Sequence, residues 1–164
     1  MGLLVTATAA AALNCWAAAA NKYNLPVELL YAIGKVESNY VVGAVGKNTD
    51  GTRDLGVMQI NSSWLPTLAP FGIGEKELLE QPCTNIQVGA WILSMEVRRF
   101  GYTWYAIGAY NAGPLTPKMS AERRARKIAT YRAYSGKVLA RWKALRAKTT
   151  KPQAVAVEAH NASG

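Results

Sequence analysis

The chain has 164 residues, half of them hydrophobic, which is enough for one domain with a real core and argues against global disorder. Its net charge of +9 is uneven: positions 1–117 hold 7 basic and 8 acidic residues, positions 118–164 hold 12 basic and 2 acidic. One histidine, His160, and two distant cysteines, Cys15 and Cys83, argue against a metal centre, because zinc needs several such ligands together.

Residues 1–12, "MGLLVTATAAAA", read as part of a signal peptide: apolar, small and short, with "AAA" before Leu13 suited to cleavage. No Lys or Arg precedes Lys22, so the basic leader region is missing and an Ala-rich first helix is the alternative. The stretch is too short for a membrane span. A first helix follows over "NCWAAAANKY". "NLP" breaks it and places Pro26 in the first turn of the next helix. There Leu29, Ile33 and Val36 recur at spacings of 4 and 3 with Leu30 beside them, giving one apolar face.

Turn-forming residues crowd residues 41 to 54, "NTDGT" above all, and predict a short hairpin. "NSSW" reads as a helix entry with a serine to cap it, and "GIGEKELLEQP" as a short helix. The strongest periodicity lies in "NIQVGAWILSMEVRRF". Ile86, Ala90, Leu93, Val97 and Phe100 line one side of a long core helix that stops at Gly101. "WYAIGAYNAGP" ends at a Gly-Pro pair. A basic helix covers about Ala121 to Arg146, and residues 147–164 have no periodicity and read as a flexible tail. The fold class is therefore mainly α, with a small β-hairpin or turn region near residues 41–55 and one domain over residues 13–146.

Two carboxylates stand out. Glu37 extends the Leu29/Ile33 face and lies at the helix C-terminus. Partial desolvation and the negative end of the helix dipole both disfavour its charged form. That is the tuning a general acid needs near neutral pH. Asp54 follows a turn in polar company, where it should stay ionised. Two acids in opposed settings are the pattern of a proton donor paired with a charge stabiliser or nucleophile, as glycoside cleavage requires. The plainer alternatives are a helix-end Glu bonded to the next loop and a turn Asp bonded to its own backbone.

Three short motifs, "ESNY", "GVMQIN" and "AYNAG", resemble in order and spacing those of the lytic transglycosylase domain related to goose-type lysozyme. The match runs from about Asn14 to Leu145. "ESNY … NTDGTRDLGVMQINSSW" also resembles the active-site segment of animal c-type lysozymes, which carry far more cysteines. "NCW" and "QPCTNI" are similar to the small bacterial transglycosylases associated with secretion, pili and conjugation.

The resemblance implies a lysozyme-like α fold. It makes Glu37 the catalytic acid, with Ser38 orienting it or the sugar. Gly56, Met58, Gln59 and Asn61 would line the cleft, and Tyr110 and Asn111 would bond near the acid and the N-acetyl sugar. Tyr134, by a looser match, would be the last-helix tyrosine. Asp54 would act as in lysozyme, a role found in some members only. The implied substrate is the peptidoglycan glycan strand, cut between N-acetylmuramic acid and N-acetylglucosamine, in a periplasmic or envelope setting. That setting favours a Cys15–Cys83 disulfide over two buried thiols. The alternatives are a hydrolytic muramidase and a non-catalytic wall-binding module working through the basic C-terminal part. No cofactor and no nucleic acid are expected, the components of a secretion or conjugation apparatus are expected partners, and the chain is expected to be a monomer. Trp64, Trp91 and Trp104 are expected in the core.

Overall fold

The computed structural model describes the backbone of residues 6–149 and side chains over residues 15–148. Residues 1–5 of the expected leader and residues 150–164 of the expected tail lie outside the described residues. From Thr6 the chain is already helical, so α1 (Thr6–Tyr23) begins before the expected start at Asn14 and takes in part of the Ala-rich stretch. It buries Trp16, Ala19 and Ala20, spaced to share one face. Trp16 lies against Gly34 of α2 (Val27–Ser38), where an added Cβ would come within 2.5 Å of the indole. Pro26 sits just outside α2 as its N-cap, in an extended conformation. Asn39, at φ 55°, turns the chain out of the helix immediately after Glu37 and Ser38.

The hairpin is present: β1 (Val45–Lys47) pairs antiparallel with β2 (Arg53–Leu55). A third strand, β3 (Ile60–Asn61), lies inside "GVMQIN" and pairs with β2 in the order β1-β2-β3. Two residues are too few to show an alternation, which is why the sequence did not reveal it. The register places Gly46 and Asn61 on either side of Asp54. Asn61, and not a serine, caps the following 3-10 turn over Ser62–Trp64, its Oδ1 accepting from Ser63 N–H at 2.9 Å. Ser62 Oγ is instead engaged by Arg53 N–H.

The chain continues through α3 (Leu65–Leu68), α4 (Glu75–Glu80) and α5 (Pro82–Phe100) to α6 (Trp104–Ala112) and α7 (Ala121–Thr149). α5 runs through the core, with Ile86, Ala90, Leu93 and Ile92 buried. α7 packs on α6 and α2, which brings a residue of the last helix to Glu37. Cys15 and Cys83 form a disulfide between α1 and α5, with a Cα–Cα distance of 5.2 Å. Among the described residues no helix is long and apolar enough to cross a membrane.

Candidate active site

Glu37 occupies the last turn of α2, half-buried, where the apolar face formed by Leu29, Leu30 and Ile33 reaches a cleft of about 720 Å³. Its Oε1 accepts a hydrogen bond of 2.5 Å from the Tyr134 hydroxyl of α7. Burial pushes the Glu37 carboxyl up to about 7; the Tyr134 hydrogen bond opposes that shift, and the charge of Asp54 adds to it. The acid is therefore half-protonated near neutrality, as a group that gives a proton and then takes one back must be. Tyr110 and Tyr134 are themselves pushed well above the usual phenol range by burial and by Glu37, so both remain neutral donors.

Asp54 faces the same cleft from β2. Its Oδ2 accepts from Asn48 Nδ2 at 3.0 Å and its Oδ1 from Asn61 Nδ2 at 2.9 Å. Thr52 Oγ1 takes a second bond from each of these amides and donates to Asp50, so the turn and the sheet together fix the carboxylate. Glu37 and Asp54 thus sit in opposite environments, one desolvated and one hydrogen-bonded.

The remaining sequence-predicted residues divide into two groups. Gln59, Asn61, Tyr110 and Asn111 line the cleft with the two acids. Ser38, Gly56, Met58 and Tyr134 do not. Gly56 and Met58, expected on the cleft surface, are buried beneath it. Gly56 has φ +73°, and a Cβ there would meet Asn85 Nδ2 at 2.3 Å and the Leu78 carbonyl oxygen at 2.4 Å. Met58 is fully buried; its N–H donates to Asn85 Oδ1, and its carbonyl accepts from the Tyr110 hydroxyl at 2.6 Å. Ser38 Oγ donates to the Val57 carbonyl at 2.8 Å, tying the end of α2 to this segment. Gln59, at φ +48°, uses Nε2 to hold the Ala44 and Gly56 carbonyls. The first half of "GVMQIN" is therefore scaffold, tied to α2 by Ser38 and to the "AYNAG" helix by Tyr110, while Gln59, Ile60 and Asn61 line the cleft. Trp64 lines the cleft and meets Trp91 edge-on at 5.4 Å, while Trp91 and Trp104 lie elsewhere.

Sequence reasoning missed Asn48, Thr52, Asn85 and Glu96. Asn85 was findable, because an amide next to Ile86 in a core helix has to satisfy its bonds internally. It does so with the Met58 N–H and the Leu55 and Leu78 carbonyls. Asn48 and Thr52 needed the hairpin register, and Glu96 left no motif.

A family model described as the transglycosylase SLT domain matches residues 14–134. Invasion protein IagB of Salmonella typhimurium (strain LT2) is 48% identical over 126 residues, covering 75% of this chain and 78% of that protein. Protein IpgF of Shigella flexneri is 38% identical over 121 residues, 74% of this chain and 79% of that protein. X polypeptide of Escherichia coli is 38% identical over 126 residues, 76% of this chain and 75% of that protein. The X-ray structure of an inactive mutant of lytic transglycosylase Slt from Pseudomonas aeruginosa superposes with a TM-score of 0.63 at 25% identity. That match covers 85% of this chain but 24% of the solved one, so the present chain corresponds to about a quarter of its length. The shared fold, the match over most of the chain and an acid of raised affinity for its proton in a sugar-sized cleft agree: this chain belongs to the transglycosylase SLT domain family and is an enzyme acting on peptidoglycan.

Proposed function

We propose that the protein cleaves the β-1,4 bond between N-acetylmuramic acid and N-acetylglucosamine without water, leaving a 1,6-anhydro end. The neutral Glu37 carboxyl gives its proton to the bridging oxygen as the C1–O bond breaks. Asp54, anionic and across the cleft, stabilises the positive charge that develops on the ring. The Glu37 carboxylate then removes the proton from the 6-hydroxyl of the same sugar, whose oxygen bonds to C1. Glu37 ends protonated, and no other reactant is consumed. The half-buried Glu37, poised near pH 7 and facing the cleft, carries this reading.

Replacing Glu37 by Gln should abolish muropeptide release from purified sacculi while the variant stays folded, with a melting temperature no lower than the parent's; release at the parental rate rejects the assignment. Asp54 supports a second outcome, hydrolysis through a water-accessible intermediate. Mass spectrometry separates the two, because anhydro and reducing ends differ by one water. The likeness of "NCW" and "QPCTNI" to the small transglycosylases associated with secretion, pili and conjugation supports a setting: local opening of the wall for such an apparatus, outside the cytoplasm, where the Cys15–Cys83 disulfide persists.

A further inference from the structure

Glu96 on α5 is a carboxylate that none of the three motifs accounts for. It is 6% exposed and lines the same cleft as Glu37 and Asp54. Its Oε2 is buried without a hydrogen-bond donor. Arg99, one turn further along α5, stands 3.5 Å from that oxygen, and its own side chain is 51% exposed. Lys127 and Tyr131 of α7 also face Glu96. Lys127 Nζ donates to the Pro114 carbonyl at 3.0 Å, and the Tyr131 hydroxyl donates to the Gly113 carbonyl. The single Tyr131 donor is thereby used on the loop after "AYNAG", and Lys127 makes no hydrogen bond to Glu96 Oε2. A buried carboxylate left short of donors is costly and needs an explanation.

The surroundings supply one. Ile92 lies one turn before Glu96 on the same face of α5, and Ile92 and Trp64 also line the cleft. An apolar strip beside an acceptor fits a pyranose, which offers a C–H face and an edge of hydroxyl and amide donors. A cationic amine of a stem peptide fits worse, since Arg99 and Lys127 already place positive charge around Glu96.

We propose that Glu96 is a substrate-binding residue, accepting a hydrogen bond from a hydroxyl or amide N–H of an N-acetylhexosamine unit and so fixing the register of the glycan strand in the cleft. This rests on the reading of the protein as a glycan-cleaving enzyme. The experiment measures binding in the Glu37→Gln background, where turnover does not interfere. The probe is a tetrasaccharide of alternating N-acetylglucosamine and N-acetylmuramic acid, with and without stem peptides. Adding Glu96→Leu should weaken binding of the peptide-free probe roughly tenfold or more, the loss typical of a hydrogen bond to a charged group. The melting temperature should hold or rise, since a buried charge is removed. Glu96→Gln, which keeps an acceptor, should restore most of the affinity. Equal binding by the Leu variant overturns the proposal, as does a loss seen only with peptide-bearing glycan or only in step with a fallen melting temperature. If the Glu37→Gln parent binds neither probe, the glycan-cleaving reading fails and this proposal fails with it.

Discussion

At the scale of single residues, the chemistry depends on where one proton sits. Glu37 holds its proton up to about pH 7 in the folded chain, well above the ordinary value of 4.5. The active form is the protonated one, so kcat/KM should fall as pH rises through about 7. Tyr134 donates to the Glu37 carboxylate and so favours its anion. Tyr134→Phe should therefore move this alkaline limb to higher pH, and a limb that stays in place would remove Tyr134 from the tuning of the acid. The same shift bears on stability. Below about pH 4.5 Glu37 is protonated both folded and unfolded; above about pH 7 the fold must hold a desolvated anion. The stability present below the unfolded value is lost as pH rises through the folded one. Glu37→Gln removes that loss, so urea unfolding should find it more stable than the parent at pH 8 by up to about 3 kcal/mol, and close to it at pH 4.

At the scale of elements, helices with long apolar stripes were legible and the parts that aim the acids were less so. α5 and α2 announce themselves by periodicity, and Glu37 by extending the α2 stripe. β3 is two residues long, and its role is to set Asn61 beside Asp54, which only pairing reveals. Gly56 and Met58 belong to a motif but act beneath the cleft, because a motif marks what must stay fixed and not only what touches substrate. Asn85 joins this segment to α5, through the Met58 N–H and the Leu55 carbonyl, and to α4 through the Leu78 carbonyl. Gly56→Ala adds a Cβ within 2.4 Å of two polar atoms at a backbone angle that disfavours side chains. It should cost about 3 kcal/mol or more in denaturant unfolding and lower kcat through the displaced Tyr110 contact. The disulfide acts on another element pair, closing a loop with a sequence separation of 68 residues between α1 and α5. Cys15→Ser with Cys83→Ser should lower stability by about 4 kcal/mol, with the pH profile unchanged because neither sulfur lies in the cleft.

At the scale of the whole molecule, the charge is arranged along one helix. α7 spans 29 residues, about 44 Å of axis, and carries ten basic side chains against the single Glu122. The same helix delivers Tyr134 inward to Glu37. The protein thus meets its substrate with a cleft lined by four carboxylates and one lysine, backed by a cationic outer face. Intact sacculi carry dense stem-peptide carboxylates, whereas a short peptide-free glycan carries few. A uniformly cationic face attracts the first and is nearly indifferent to the second, over a distance that salt shortens to about 10 Å at 0.1 M. Activity on sacculi should therefore fall several-fold between 50 and 300 mM salt, while activity on peptide-free glycan stays level. Replacing the exposed Arg126, Lys137 and Lys143 by Gln should flatten that salt dependence. The melting temperature and the alkaline limb at about pH 7 should not move, because none of the three lines the cleft. If the triple variant keeps the full salt slope on sacculi, the outer face of α7 is only a solvated surface and the attraction must arise elsewhere on the chain.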